Sequence, residues 1–301
     1  MVDGFHRFRW TIWPDFSGRF GPVYAILMNP QYQYQYEKLK WPQIKAAASQ
    51  EKFIVVPCGT IEDHGPHLPV DTDIVIARAI CELAAEQMAG DTLVAPPLTH
   101  GYSPHHMDFP GPITIDWDTY IKHTLNVINS LIHHGFRYIL LLNGHGSNAP
   151  NLDLAARLAM VEHDGVRVGM VSWWQLSSVM EVFQALRKSE VTSHACEAET
   201  SAYLAIDPSM VDMDKAPRDL TLPWSDHFWT DLLGNPLRPH KNRVAMTEYW
   251  SQMTQTGVVG DASVATAETG REILRAAANE VSEILREMKQ RPWRPRVDHH
   301  V

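Results

Sequence analysis

The chain has 301 residues, 45% hydrophobic and 20% charged, enough for one large α/β domain or two ordinary ones with a sizeable core. Its formal net charge of −9 excludes a general nucleic-acid binder, which needs clustered Lys and Arg, and apolar runs such as Tyr138 to Leu142 fall far short of the roughly 20 residues of a membrane helix. Cys58, Cys81 and Cys196 are too few and too unevenly spaced for a disulfide framework, and Met1 to Arg7 shows no secretory leader, so a cytoplasmic location is expected.

In chain order, residues 1–50 are aromatic-rich (Trp10, Trp13, Phe16, Phe20, Tyr24) and contain the alternating stretch Gln31 to Tyr36. They read as an N-terminal arm or edge extension packing on the body or on a neighbouring subunit. Phe53 to Pro57 is a short apolar run of buried-strand type. Asp73 to Met88 places Ile74, Ala77, Ile80, Cys81, Ala84 and Met88 at helical spacing. Thr92 to Ala95 reads as a second strand, Asp116 to Leu131 as a helix, and Arg137 to Leu142 as a third strand. Asn148 to His163 follows as a helix, Val166 to Ser172 as a fourth strand, and Glu197 to Ile206 as another helix. Asp207 to Val258, interrupted by Pro208, Pro217, Pro223, Pro236 and Pro239, reads as an irregular excursion, a lid or an interface. A long helix is expected over Asp261 to Met288, approached by Gly257 to Gly260 and capped by Asp261.

This alternation predicts a single α/β domain over residues 51–290, with a mostly parallel sheet flanked by helices on both faces and a C-terminal tail at 291–301. In such sheets the loops at the carboxyl ends of strands carry the chemistry. Three of those loops hold carboxylates and imidazoles, out of an unusual 16 histidines. The first runs from Glu62 through His64 and His67 to Asp71 and Asp73. A divalent metal wants such oxygen and nitrogen donors converging on one point, and Glu62 and His64, two apart in extended backbone, would share a side. The competing reading is a polar loop with a helix cap at Asp71 or Asp73. The second is Asn143-Gly144-His145-Gly146-Ser147-Asn148, either a presentation of His145 or a glycine turn with Asn148 as helix cap. The third is Ser193 to Ser201. It offers Glu199 as a ligand and His194 as a proton shuttle, or simply a helix start capped by Ser193, and Cys196 raises a thiol-nucleophile reading. A fourth segment, Gly101 to Gly111, could supply pocket walls, with His105 or His106 touching substrate or packing.

Taken together, these pieces resemble the creatininase (creatinine amidohydrolase) family. The resemblance rests on Pro57 to Pro69 with Asp73, Phe109-Pro110-Gly111, Asn143 to Asn148, His194 with Glu199-Thr200-Ser201, and Gly257 to Asp261. It runs from about Lys52 to Leu285 and implies an α/β fold, two divalent ions (Zn, Mn or Fe) and a homo-oligomer, usually a hexamer. Carried over residue by residue, Glu62, Asp73 and His145 would hold one ion. His64, Asp73 and Glu199 would hold the other, with Asp73 bridging. His194 would be the general acid or base, and a metal-bound hydroxide would attack the substrate carbonyl.

Two departures bear on the substrate. Creatininases proper carry a Glu ligand two residues after the His of the Asn-Gly-His loop, where this chain has Ser147; Glu199 is assigned in its place. Creatininases also close a flap Trp over the substrate shortly before the catalytic His, and Arg187 to Ser193 has no aromatic. The expectation is therefore a hydrolase of a small cyclic amide or formamide-type substrate, not a creatininase proper. His67, His105, His106 and Trp174 are candidates for its pocket. The alternatives are a carbon–carbon hydrolase opening a cyclic polyol ketone of the dehydro-inosose type, and a catalytically degenerate binding protein. The wider family also has a peptide-processing branch. No nucleic-acid or membrane partner is expected.

Overall fold

A computed structural model of the protein describes residues 33–221, 227–228, 231, 244 and 246–300; of the N-terminal arm, Trp10, Trp13, Phe16, Phe20 and Tyr24 lie outside the described residues, while Tyr34 and Tyr36 pack against the cores of the domain. Within that range, Trp41–Ser49 forms α1 and Phe53–Cys58 forms β1. Thr72–Gln87 (α2), Thr92–Val94 (β2), Trp117–His133 (α3), Tyr138–Asn143 (β3), Ala149–Glu162 (α4) and Arg167–Ser172 (β4) follow in order. Each lies within a few residues of its expected bounds. β2, β1, β3 and β4 form one four-stranded sheet in that order, with every neighbouring pair parallel.

The two-residue period of these strands sorts their side chains into two cores. Phe53 and Val55 of β1, with Tyr138, Leu140 and Leu142 of β3, face one core; Ile76 and Ile80 of α2 join it. Ile54, Val56 and Cys58, with Ile139 and Leu141, face the other, where Tyr120 and Ile128 of α3 and Leu152 and Ala155 of α4 pack. Both central strands are buried along their whole length, which is why they read as unbroken apolar runs. The result is a single α/β domain with helices on both faces of a parallel sheet. Among the described residues no helix is long and apolar enough to cross a membrane.

Besides α1, two helices and a second sheet went unread in the sequence. Ser177–Leu186 (α5) is a helix, and its Val179 and Phe183 are fully buried. A second, antiparallel sheet joins Thr192–His194 (β5), Val259–Asp261 (β7) and Arg218–Asp219 (β6) in the order β5-β7-β6. Glu197–Ile206 (α6), with the bounds the sequence led us to expect, follows β5, and the unread short helix Trp250–Met253 (α7) precedes β7. The last helix, α8, spans Ala267–Gln290 rather than beginning at Asp261. Asp261 belongs to β7, and its Oδ1 accepts from the backbone N–H and hydroxyl of Ser263. The cap is Thr266, whose hydroxyl accepts from the N–H of Thr269.

α6 and α8 pack at backbone distance because residue 270 is glycine. A Cβ at Gly270 would stand 1.8 Å from the carbonyl oxygen of Ser201, which backbone atoms cannot vacate without separating the helices. Gly270→Ala is expected to destabilise the fold by about 3 kcal/mol or more, as severe overpacking does. Gly169→Ala, whose Cβ would meet the flexible tip of Met288 at 3.4 Å and Leu140 Cδ1 at an ordinary 3.7 Å, serves as the tolerated control. Urea unfolding of both variants checks this; equal midpoints for Gly270→Ala and wild type would rule out the close packing.

Candidate metal centre

The cluster begins where α2 meets the sheet. A Cβ at Gly59 would lie 2.7 Å from the backbone N of Ile74, and one at Gly144 2.5 Å from the carbonyl O of Asp73. Two glycines after β1 and β3 therefore let the first turn of α2 press against both strand ends. Asp73, in that turn, is delivered between them and is buried. Its carboxylate also profits from the positive end of the helix dipole.

Around Asp73 the three loops converge. Its Oδ1 lies 3.2 Å from His64 Nε2 and its Oδ2 3.5 Å from His145 Nδ1. Glu62 Oε2 is 2.8 Å from His145 Nδ1, and Glu62 Oε1 is 3.9 Å from His64 Nε2. Ligand atoms of Glu62, Asp73 and His145 lie within 4.8 Å of one another, and so do those of His64, Asp73 and Glu199. All five side chains are buried. Glu62 and His64 thus share a side, as two-apart residues in extended backbone do.

The capping alternatives do not hold. Asp71 stands at the N-cap of α2 without a capping bond, and its Oδ1 accepts from the Tyr203 hydroxyl at 3.1 Å. Asn148 makes no cap bond either. Its Oδ1 accepts from the N–H of Tyr102 at 2.9 Å and its Nδ2 donates to Gly59 O at 3.1 Å, tying three strand-end loops together. Ser193 lies in β5, and the residue at the N-cap of α6 is Cys196. Cys196 is buried, which pushes its thiol up to about 12, so the thiolate needed for a nucleophile is absent at neutral pH.

Carbonyl oxygens fix how the imidazoles face. A carbonyl only accepts, so His145 Nε2 donates to Tyr102 O at 3.2 Å, leaving Nδ1 toward Glu62 and Asp73. His194 Nε2 donates to Asp63 O at 2.7 Å, leaving its Nδ1 3.7 Å from Glu62 Oε1. Outer partners of this kind orient metal-binding histidines. Asn143 braces the loop, accepting from the N–H of His145 and donating to its carbonyl and to Ser172 Oγ. Ala195, beside His194, takes φ 51°, a left-handed conformation costly for a residue with a Cβ. Its N–H donates to Glu199 Oε2 at 2.6 Å, which turns that carboxylate into the cluster.

The other candidates separate. His106 is buried beside the centre; its Nδ1 is 2.7 Å from Asp63 Oδ1 and its ring 4.9 Å from that of His194. His105 stacks on His145 and bonds Ser147 Oγ at 3.2 Å, so Ser147 supports a wall beside the cluster. His67 is held apart by a 2.8 Å hydrogen bond to Thr200 Oγ1. Trp174 packs in the core edge-on to Trp173. Asp63, Asn143, Asn148 and Trp250 contribute without having been singled out. Asp63 lay inside the acidic segment and the two asparagines inside the glycine loop, whereas nothing in the sequence marked Trp250, whose ring is 5.1 Å from both His106 and His194.

Electrostatically the cluster is built for a cation. Burial pushes the carboxyls of Glu62 and Glu199 up to about 7. For His64 and His145 burial acts downward, but Asp73 and Glu62 outweigh it and raise both imidazoles. Protons therefore sit where positive charge is wanted. Glu62 Oε2, Asp73 Oδ2 and His64 Nε2 are enclosed without a well-aligned hydrogen bond. The mixed carboxylate–imidazole donor set suits a borderline divalent ion, so the residues fit a metal.

The whole arrangement can be set beside known proteins. The family model for creatininase (creatinine amidohydrolase) matches residues 37–285. The chain belongs to the creatininase family. It is 27% identical over 267 residues to creatinine amidohydrolase of Pseudomonas putida, covering 83% of this chain and 95% of that one. It is 30% identical to a mycofactocin precursor peptide peptidase of Mycolicibacterium smegmatis, over 77% of this chain and 83% of the relative. A 3-dehydro-scyllo-inosose hydrolase of Thermotoga maritima is 27% identical, over 85% and 84% of the two chains. Among solved structures, a manganese creatininase superposes with a TM-score of 0.71 at 26% identity, covering 85% of this chain and 98% of that one. A creatininase variant of Zn-Zn type gives 0.68 at 27% identity with the same coverage. This creatininase-family protein is thus a hydrolase with a buried cluster that could bind metal, while its relatives carry three different substrate names.

Burial, with help from the nearby His64, lowers His67 to about 4, below the ordinary value near 6.5. A histidine held neutral in the fold leaves the protein fully stable above pH 6.5 and costs stability as pH falls from there through 4, because the unfolded chain then binds the extra proton. His67→Gln, which keeps a hydrogen-bonding group for Thr200, is expected to flatten the fall in urea stability of the metal-free protein between pH 6.5 and 4. Parallel profiles for the variant and wild type would show that His67 is not held neutral.

Proposed function

We propose that the chain is a dinuclear metal-dependent hydrolase of small cyclic amides or formamide-type compounds. Glu62, Asp73 and His145 would hold one divalent ion, and His64, Asp73 and Glu199 the second. The observation that carries this reading is that Asp73 turns one oxygen to each side, Oδ1 to His64 and Oδ2 to His145, the disposition of a bridging carboxylate. When bound, zinc, manganese or iron would polarise the substrate carbonyl and acidify water.

The protein's own groups account for the rest. His194 commits Nε2 as a donor to Asp63 O, so its Nδ1 keeps its lone pair and is free to take a proton. Its fixed ring, anchored through Nε2 on Asp63 O, can take that proton at Nδ1 from the attacking water and return it to the leaving nitrogen. Asp63 serves twice, since its side chain also holds His106. Burial of the whole cluster keeps bulk water away and strengthens each of these interactions.

A second reading, carbon–carbon hydrolysis of a cyclic polyol ketone, is favoured by the polar wall of His105, His106 and Ser147. The inosose hydrolase of Thermotoga maritima is as similar to this chain as the creatinine amidohydrolase is. A screen of cyclic ureides, formamides and inososes separates the two.

Elemental analysis of protein incubated with Mn(II) or Zn(II) and then desalted is expected to find about two ions per chain in wild type and a clear loss in His64→Ala. Wild type without retained metal would end the proposal. Because His64 and His145 are raised and hold protons at neutral pH, metal uptake should release protons and weaken as pH falls, which a pH-stat titration measures. Glu62→Gln, which removes an anionic ligand, is expected to lose at least about 100-fold in turnover on whichever substrate the screen identifies; full activity in that variant would contradict the ligand set.

A further inference from the structure

Trp250 lies on the short helix α7, in the stretch between β6 and β7, and no part of the metal chemistry calls for it. Its indole stands 5.1 Å from the ring of His106, tilted by 32°, and 5.1 Å from His194, edge-on at 88°. It is 6.2 Å from His105. Trp250 and Met253 also pack on Val191 and Val259, beside and within the second sheet. The helix is fastened at both ends. Ser251 Oγ donates to Asp108 Oδ2, in the loop that carries His105 and His106. Thr254 Oγ1 and Thr256 Oγ1 donate to Asp219 Oδ2 of β6 at 2.7 and 3.1 Å. The indole is therefore held against the histidines by two independent anchors.

The indole Nε1 is shielded, yet it meets no acceptor among the described residues. An indole nitrogen can only donate, and buried tryptophans ordinarily satisfy it. The Nε1 of Trp173 is in the same state, but that ring is enclosed in the core, where nothing can reach it. Trp250 alone of the two borders the cluster where a substrate would lie.

We propose that Trp250 is a specificity-determining residue: its ring closes the wall above His106 and His194, and its Nε1–H donates to an oxygen of the substrate. The substrate class this selects is a small planar molecule that turns one carbonyl toward the metal ligands and carries a second acceptor oxygen, carboxylate or carbonyl, on its other side. The inference rests on the metal-hydrolase reading of the same site, and it narrows that reading from amides in general to those with a second acceptor.

Two probes separate the claims. Acetohydroxamate chelates metal and has no further acceptor; malonic acid monohydroxamate has the same chelating end and an added carboxylate. Both are titrated calorimetrically into metal-loaded wild type and Trp250→Phe, which keeps an aromatic ring and loses the donor. The expected result is unchanged metal content, acetohydroxamate affinity within about twofold, and about tenfold or greater weakening of the carboxylate probe, the loss of one hydrogen bond to a charged group. In wild type alone, one of the ten tryptophan indole N–H resonances should move downfield with the carboxylate probe and stay in place with acetohydroxamate. Equal weakening of both probes, or of neither, overturns the role of Trp250 while leaving the metal site standing. Wild type that holds metal yet binds the carboxylate probe without moving any indole resonance also overturns it. Failure of wild type to hold metal or acetohydroxamate removes the metal-hydrolase reading itself.

Discussion

Everything at the centre depends on the pressure of the first turn of α2 against the ends of β1 and β3. Asp73 is carried into the interior by that contact, which exists because residues 59 and 144 lack side chains. A carboxylate so placed is taken out of water, and the cost of desolvating it demands positive charge nearby. His64 and His145 supply that charge as protons, one against each oxygen of Asp73. Glu62 and Glu199 enlarge the deficit, which is why burial drives both of their carboxyls upward. A fold that invests three buried acids around two imidazoles is poorly arranged as plain core and well arranged for a cation heavier than a proton.

The second requirement is rigidity, and it is met by groups that never touch the centre. Asn148 bridges Tyr102 and Gly59, Asn143 clamps both backbone groups of His145, and Asp63 orients His194 and His106. Each bond joins one strand-end loop to another or straightens a loop on itself. Cluster side chains on separate loops would otherwise drift with those loops. The parallel sheet supplies the fixed frame, since its four strands end side by side and every donor grows from that edge or from the second sheet beside it.

How much of this was legible follows from the same division. Strands β1 and β3, buried on both faces, announced themselves as apolar runs, and the helices between them by their period. Glu62, His64, Asp73 and His145 stood next to those strand ends, so their convergence could be anticipated from position. Glu199 was a candidate ligand on its loop as well, but the strand that leads to it was not legible: it enters through a left-handed turn at Ala195 and a strand only three residues long, too short for any periodicity. The start expected for the last helix, at Asp261, failed for a related reason. Asp261 does offer an oxygen to a following N–H, as a cap would, but to Ser263, inside a turn that leaves a strand. Short antiparallel strands are set by pairing with distant partners, which a local pattern does not contain.

The substrate side is the least legible part, and physically it had to be. The acid–histidine cluster is assembled from elements locked into the central sheet, where one lost methylene is felt. The wall opposite comes from the His105–His106 turn and from α7, an element of four residues held by a serine and two threonines on aspartates. Such an element can change its side chains without disturbing the core, so chemistry and specificity are free to diverge. The three curated relatives, alike at 27 to 30% identity and different in the substrates they are named for, are what that separation predicts. In this chain Ser147 supports His105, and the aromatic beside the cluster arrives from residue 250. The wall we propose to decide what is hydrolysed is therefore the part that leaves the weakest trace in local sequence pattern.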